Sequence, residues 1–239
     1  MKNWHPFPAA LFSFAEQTPG TLLLESSRPA ASTLSRVFTD PVRVLEARTT
    51  SDIPDLFPQI EDAVQQGHFA AGFFAYECGA FFEPSTALRR DRNNELLAWL
   101  GIYERCYRFD HTIGRFLDGE PANFNAGPEL STDLPPLVSL ALDEQQFKAH
   151  IVKIHQWIRA GDVYQLNFTF SVHIKTELLP SALYQRLRAV QPVDYGGFLH
   201  CQEGRHILSL SPELFFREQQ QGGKRHITTR PMKGTAHRG

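Results

Sequence analysis

The sequence predicts an α+β fold of antiparallel sheets with helices packed outside them. Three observations support this. Short runs rich in aromatic and branched residues alternate with turn chemistry. A few segments instead repeat apolar residues at helical spacing. Phenylalanine is abundant, at 19 copies, and many fall in the strand-like runs, which favours a sheet core with aromatic packing.

The elements follow in order. Thr21–Ser27 (TLLLESS) and Pro41–Ala47 (PVRVLEA) read as strands. A helix is expected near Leu56–Gln66, where Leu56, Ile60 and Val64 share a face and Gly67 ends it, so Pro58 must sit in its first turn. His68–Glu77 (HFAAGFFAYE) reads as a buried strand whose small residues allow close backbone approach. Further strands joined by tight turns follow as far as Leu117. The polar stretch Asp118–Pro136 has the Pro, Gly, Asn and Ser content of a long loop. Beyond it, Asp143 and Gln146 form an approximate capping box. Phe147, Ile151, Ile154 and Ile158 then recur at helical spacing until Gly161. Gly161–Phe170 (GDVYQLNFTF) alternates like a strand, with Tyr164, Leu166, Phe168 and Phe170 towards a core, a row that Val172 and Ile174 extend. Gln165, Asn167, Thr169 and Ser171 lie on the other face, which is either a solvated face or the uncharged wall of a site. A second helix is expected over Ser181–Val190. Four short strands (YGGFLH, RHILSL, ELFFRE, RHITTR) close the chain, with hairpin turns at QEG and QQQGGK.

Composition excludes several classes. The net charge of −2 provides no bulk positive field for nucleic acid or an anionic membrane surface. Cys78, Cys106 and Cys201 are widely spaced and odd in number, which argues against a disulfide framework or zinc site and for a reducing, cytoplasmic setting. The N-terminal segment makes a poor signal peptide, and no apolar run is long enough for a membrane span. The histidines have no metal-ligand spacing, no GxSxG elbow occurs, and the glycine pairs lack phosphate-loop spacing. Two stretches carry more. In SLSPELFF, Glu213 stands at a strand junction, either as an ordinary turn glutamate, which residue type alone favours, or as a positioned acid. In TTRPMKGTAHRG, Arg230, Lys233, His237 and Arg238 read either as a basic turn suited to a carboxylate-bearing substrate or as a disordered basic tail, and composition does not separate the two.

The words AGDVYQLNFTF, SLSPELFF and RPMKGTAHRG, preceded by LLLESS and GFFAYE, resemble the chorismate-utilising enzymes in content and order. That family includes component I of anthranilate synthase, component I of aminodeoxychorismate synthase, and the isochorismate and salicylate synthases. The resemblance implies antiparallel sheets packed face to face with flanking helices, incomplete in this chain. It implies an N-terminal component I region (1–120), a linker (121–136) and the first part of a chorismate-binding catalytic domain (137–239). Relatives that add water at C2 of chorismate carry a lysine base where this chain has Gln165, and an amide cannot accept that proton. Glu213 matches the acid that helps the C4 hydroxyl leave, a role that needs a raised carboxyl pKa. Lys233, before Gly234 and Thr235, matches the lysine nucleophile of aminodeoxychorismate synthases, whereas anthranilate synthases usually carry alanine there. Gln165, Gly234 and Thr235 would contact substrate.

Glu25 and Ser26 match one wall of the family's tryptophan pocket. The other wall corresponds to QPVDYGGF, with Asp194 in place of a proline. The resemblance further implies Mg²⁺ held by glutamates that lie beyond this chain, and a glutamine amidotransferase subunit as ammonia source. The chain alone is expected to be inactive. The favoured reading is aminodeoxychorismate synthase component I, in para-aminobenzoate and folate biosynthesis. The alternatives are anthranilate synthase component I and a non-catalytic module that docks the amidotransferase.

Overall fold

The computed structural model describes residues 4–29, 33–83, 96–121, 136–202 and 204–232. Most of the 121–136 stretch, and Lys233, Gly234 and Thr235, lie outside the described residues. The chain begins with α1 (Ala10–Gln17), β1 (Leu22–Glu25), β2 (Leu34–Phe38) and β3 (Arg43–Ala47). It continues through α2 (Ile53–Gln65), β4 (Phe69–Phe74), the single turn α3 (Gly79–Phe82), β5 (Ala98–Tyr103), β6 (Tyr107–Asp110) and β7 (Arg115–Phe116). Next come β8 (Leu137–Leu140), α4 (Glu144–Ala160), β9 (Val172–Lys175) and α5 (Pro180–Val190). The last described elements are β10 (Tyr195–Gln202), β11 (Arg205–Ser211), β12 (Leu214–Gln221) and β13 (Lys224–Arg230). They form two compact units, Leu130–Leu179 and the remainder.

The larger unit has the expected architecture. Six antiparallel strands lie in the order β11-β10-β1-β2-β6-β7, and three in the order β3-β5-β4. Alternation along each strand decides which layer a side chain joins. On β1, Leu23 packs with Phe12 of α1, Tyr184 of α5 and Phe198 of β10. Its neighbour Leu22 packs the other way, with Trp99 and Tyr103 of the second sheet. On β5, Ala98, Leu100 and Ile102 point to Ile53, Leu56 and Ala63 of α2. The sheets therefore meet face to face, with α1 and α5 outside one and α2 outside the other. All six residues of β5 are buried because both of its faces are covered. Aromatic rings fill these layers, as the phenylalanine content suggests; Phe12 lies 5.2 Å from Tyr184 and 6.2 Å edge-on from Phe198.

Two expectations here need correction. Helix α2 starts three residues earlier than expected, because Thr49 and Asp52 form a capping box that launches it from a preceding 3-10 turn. Pro54 therefore occupies the first turn, and Pro58 lies inside the helix. Strand β4 is not fully buried: it is the edge of its sheet, and Phe69 and Phe74 are exposed. The close approach is real, because a Cβ at Gly72 would collide with the Trp99 carbonyl. Helix α1, strand β2 and strand β8 have no counterpart in the sequence reading.

The smaller unit holds α4 and the β8–β9 pair, in register Leu137↔Lys175 to Leu140↔Val172. The Asp143 carboxylate accepts from the Gln146 N–H at 2.7 Å, and Gln146 Oε1 accepts from the Asp143 N–H at 2.9 Å. Gly161, at φ +82°, closes the helix as expected, with its N–H donating to Ile158 and that of Asp162 to Trp157. Of the expected strand, only the extension through Val172 and Ile174 forms, as β9; Gly161–Phe170 does not. Alternation makes a strand only where a ladder partner exists, and β8 pairs only with Val172–Lys175. Tyr164 is 91% exposed instead of facing a core, while Phe168 and Phe170 gather against Phe147.

Candidate functional site

One candidate site in the larger unit is a cleft of about 450 Å³ lined by residues of β1, β2, β4, β10, β11 and β12. Its walls include Glu25, Ser26, Asp194, Arg36, Phe73 and Arg217. Residues more than 160 positions apart meet here because β1 pairs antiparallel with β10, which sets Glu25 opposite Gly196 and Leu24 opposite Gly197. Ser27 reinforces the junction, its N–H donating to the Val193 carbonyl at 3.0 Å and its Oγ accepting from the Val193 N–H at 2.9 Å. The LLLESS and QPVDYGGF words thus form two walls of one cavity.

Glycine at 196 is required by what lies beneath it. A Cβ there would stand 2.5 Å from the Tyr184 hydroxyl and 3.0 Å from Glu25 Cγ. The open space lets Tyr184 rise from α5 to the Glu25 carboxylate. Arg188, one turn further along α5, brings its guanidinium to 3.1 Å from Glu25 Oε2, with the carboxylate side chain 0% exposed and Arg188 16%. The approach is an ion pair without the alignment of a linear hydrogen bond, since neither Glu25 oxygen has an aligned donor among the described residues. Burial pushes the Glu25 carboxyl above its ordinary range, while Arg188 and the neighbouring Tyr184 hydroxyl draw it part of the way back. Burial, and then the facing carboxylate, raise the Tyr184 phenol strongly, so it remains protonated. Arg188 also lies 4.8 Å over the Phe12 ring. Glu25 is therefore turned inward to the protein's own arginine.

Ser26 is fixed by a relay. Its N–H donates to Ser35 Oγ at 3.1 Å, and Ser35 lies 2.6 Å from His111 Nε2. His111 Nδ1 lies 2.8 Å from the His5 carbonyl, an acceptor only, so Nδ1 carries the proton and Nε2 accepts from the Ser35 hydroxyl. Burial lowers the His111 pKa, which keeps this tautomer neutral, and Trp4 stacks on the ring at 4.2 Å. With both hydroxyl directions assigned, the backbone turn at Ser26 is held in one geometry.

The groups bordering the cleft are complementary. Arg36 and Arg217 offer cations, Asp194 a carboxylate that is 20% exposed and 3.7 Å from Arg28, and Phe73 an aromatic wall. Such a lining suits a zwitterion with an apolar side chain. Arg36, Arg188 and Tyr184 carry no signal in their local sequence that marks them as site residues.

Of the other sequence-predicted residues, Glu213 is described in the larger unit and does not line this cleft. Glu213 sits at the bend between β11 and β12, where Ser211 Oγ donates to the Glu213 carbonyl at 3.0 Å and the Glu213 N–H donates back at 3.2 Å. The bend is thereby shaped, but Glu213 is exposed, so the described residues do not supply the partial burial that a raised carboxyl pKa needs. Gln165 belongs to the smaller unit and is exposed. Among the described residues, no group of three or more His, Cys, Asp or Glu stands together as a metal site. No helix of the described residues is long and apolar enough to cross a membrane.

The sequence profile of the chorismate binding enzymes matches residues 21–239. Anthranilate synthase component 1 of Saccharomyces cerevisiae is 25% identical, over 84% of this chain and 45% of its own length. Aminodeoxychorismate synthase component 1 of Salmonella typhimurium is 26% identical, over 90% of this chain and 48% of its own. The crystal structure of anthranilate synthase component I from Streptococcus pneumoniae superposes with a TM-score of 0.61 at 15% identity, covering 82% of this chain and 53% of that one. The last likeness establishes the fold. The chain spans about half the length of the curated relatives it matches.

Proposed function

We propose, from the premise that the chain belongs to the chorismate binding enzyme family, that the protein it represents is the component I of an aminodeoxychorismate synthase. The observation that carries this reading is Lys233 in the word PMKGT. In the proposed reaction, the Lys233 amine attacks C2 of chorismate. The two ring double bonds shift, from C1–C2 and C5–C6 to C1–C6 and C4–C5, and the C4 hydroxyl leaves as water with a proton from Glu213. Ammonia then adds at C4 and expels the lysine, so the net change is hydroxyl for amino at C4. Gln165 supports the reading from the other side, because an amide offers no base for attack by water at C2.

Each role sets a physical requirement. A lysine amine has an ordinary pKa of about 10.4 and must be desolvated or placed near other cations to act at neutral pH. Arg230 and Arg238 are the neighbouring cations in sequence. Glu213 must be covered to be held as an acid. Its exposure here means the proposal needs cover from outside the described residues. A glutamine amidotransferase as ammonia donor and a cytoplasmic setting complete the proposal. Mg²⁺ enters only through the resemblance, and no step is routed through it. The zwitterion-compatible lining of the Glu25–Asp194 cleft supports tryptophan, or a similar amino acid, as its occupant.

The test is product analysis of the complete protein with chorismate and ammonium. The expected product is 4-amino-4-deoxychorismate, lost in Lys233→Ala. Release of anthranilate would instead establish the second reading, anthranilate synthase component I, a relative at 25% identity beside the 26% of aminodeoxychorismate synthase component 1. Isothermal titration with tryptophan checks the cleft, and absence of binding in the complete protein removes that assignment.

A further inference from the structure

We propose that a second cavity of the larger unit binds a small organic anion, one carrying a carboxylate or phosphate group on a flat apolar body. The cavity measures about 520 Å³ and is bordered by Arg36, Arg105, Arg108 and Asp118, with Phe69, Tyr107 and Cys106 as its less polar walls. It needs no part of the chorismate reading.

The charges in this cavity are out of balance. Arg36 and Arg108 face each other directly across the β2–β6 ladder, and like charges in that position repel. Asp118 answers Arg108 with a two-pronged contact, Nε to Oδ2 and Nη2 to Oδ1, both at 2.6 Å. Three guanidinium groups thus share one carboxylate, and no described residue forms an ion pair with Arg36 or Arg105. Cys106 lies half-buried at the focus of these charges: Arg36 and Arg108 lower its pKa and Asp118 raises it, against a larger upward push from burial. Guanidinium groups bind planar oxyanions through paired N–H donors. Phe69 is 44% exposed beside them and, with Tyr107, provides aromatic surface for a flat ring. Arg36 borders the Glu25–Asp194 cleft too, so the two cavities share one cation.

Cys106 makes the site measurable. The full chain is treated with iodoacetamide, and alkylation of each cysteine is followed by peptide mass spectrometry. Benzoate, phenyl phosphate, inorganic phosphate and neutral benzyl alcohol are the additives. The buried Cys78 and Cys201 are internal references. The expected result is saturable, several-fold slowing at Cys106 by millimolar benzoate or phenyl phosphate, with little from benzyl alcohol or inorganic phosphate. Whichever aryl anion protects at lower concentration identifies the head group. Arg105 is on the exposed β5–β6 connection, and Arg105→Glu should weaken protection by about tenfold, the effect of losing one good charged contact. Arg105→Gln, which adds no repulsion, should weaken it in the same direction. The proposal is overturned if neither aryl anion protects, if benzyl alcohol protects equally, if inorganic phosphate alone protects, or if both Arg105 variants retain full protection.

Discussion

Replacing Arg188 with methionine tests the buried ion pair most directly. Methionine keeps an unbranched apolar stem over the Phe12 ring, so the change removes charge more than packing. It leaves the Glu25 carboxylate, 0% exposed, without its countercharge. Breaking a buried pair in this way costs about 3–5 kcal/mol. The residual 16% exposure of Arg188 places the expected loss near the lower end, about 3 kcal/mol. For a chain of this size that lowers Tm by roughly 6–12 °C.

The pH dependence has a definite sign. The folded pKa of Glu25 lies above the unfolded 4.5, so between those two values the folded state binds more protons and stability falls as pH rises. Without Arg188 the folded pKa rises further. The deficit of R188M relative to the parent should therefore be largest at neutral pH and shrink as pH falls towards 4.5. Adding Glu25→Gln should recover most of the loss. Urea unfolding of the parent, both single variants and the double variant at neutral and mildly acidic pH supplies the comparison. A loss below about 1 kcal/mol, the value of an exposed pair, or a deficit independent of pH, would refute the reasoning.

Three further outcomes are expected. Gly196→Ala should destabilise by about 1–3 kcal/mol in thermal melts, because its methyl meets the Tyr184 hydroxyl, and Tyr184→Phe in the same background should return part of that loss. His206, stacked on His200 at 4.2 Å, has its pKa lowered from 6.5 chiefly by burial; its stability contribution is complete above 6.5 and falls away in acid, so His206→Gln should flatten the stability slope below pH 6.5. In the complete protein, Gln165→Lys should introduce the missing base and yield a product with water added at C2 of chorismate. Mass spectrometry showing only the parent's product would count against the role given to Gln165.

Local signals in the sequence were reliable guides to local structure. Asp143, Gln146 and Gly161 bound α4 because caps act on backbone groups within one turn of themselves. Gly222 and Gly223, both at positive φ, close the β12–β13 hairpin for the same reason. Thr49 and Asp52 obey that rule too, and start α2 early enough to enclose Pro58. The stretch Gly161–Phe170 shows where local reasoning ends. Its alternation is that of a strand, but a strand is a property of two segments, and no ladder forms along it among the described residues. The motif words and their order identified the family, and the roles proposed for Gln165 and Lys233 rest on residue type, which decides whether a base or a nucleophile is available. Tertiary structure decided the rest. Only the β1–β10 ladder brings Glu25 to Gly196 and the LLLESS word to QPVDYGGF, and only α5 packing under that ladder turns Glu25 from a ligand-facing carboxylate into the partner of Arg188. These contacts join residues more than 160 positions apart, and side-chain periodicity carries no information about which distant strand will lie alongside.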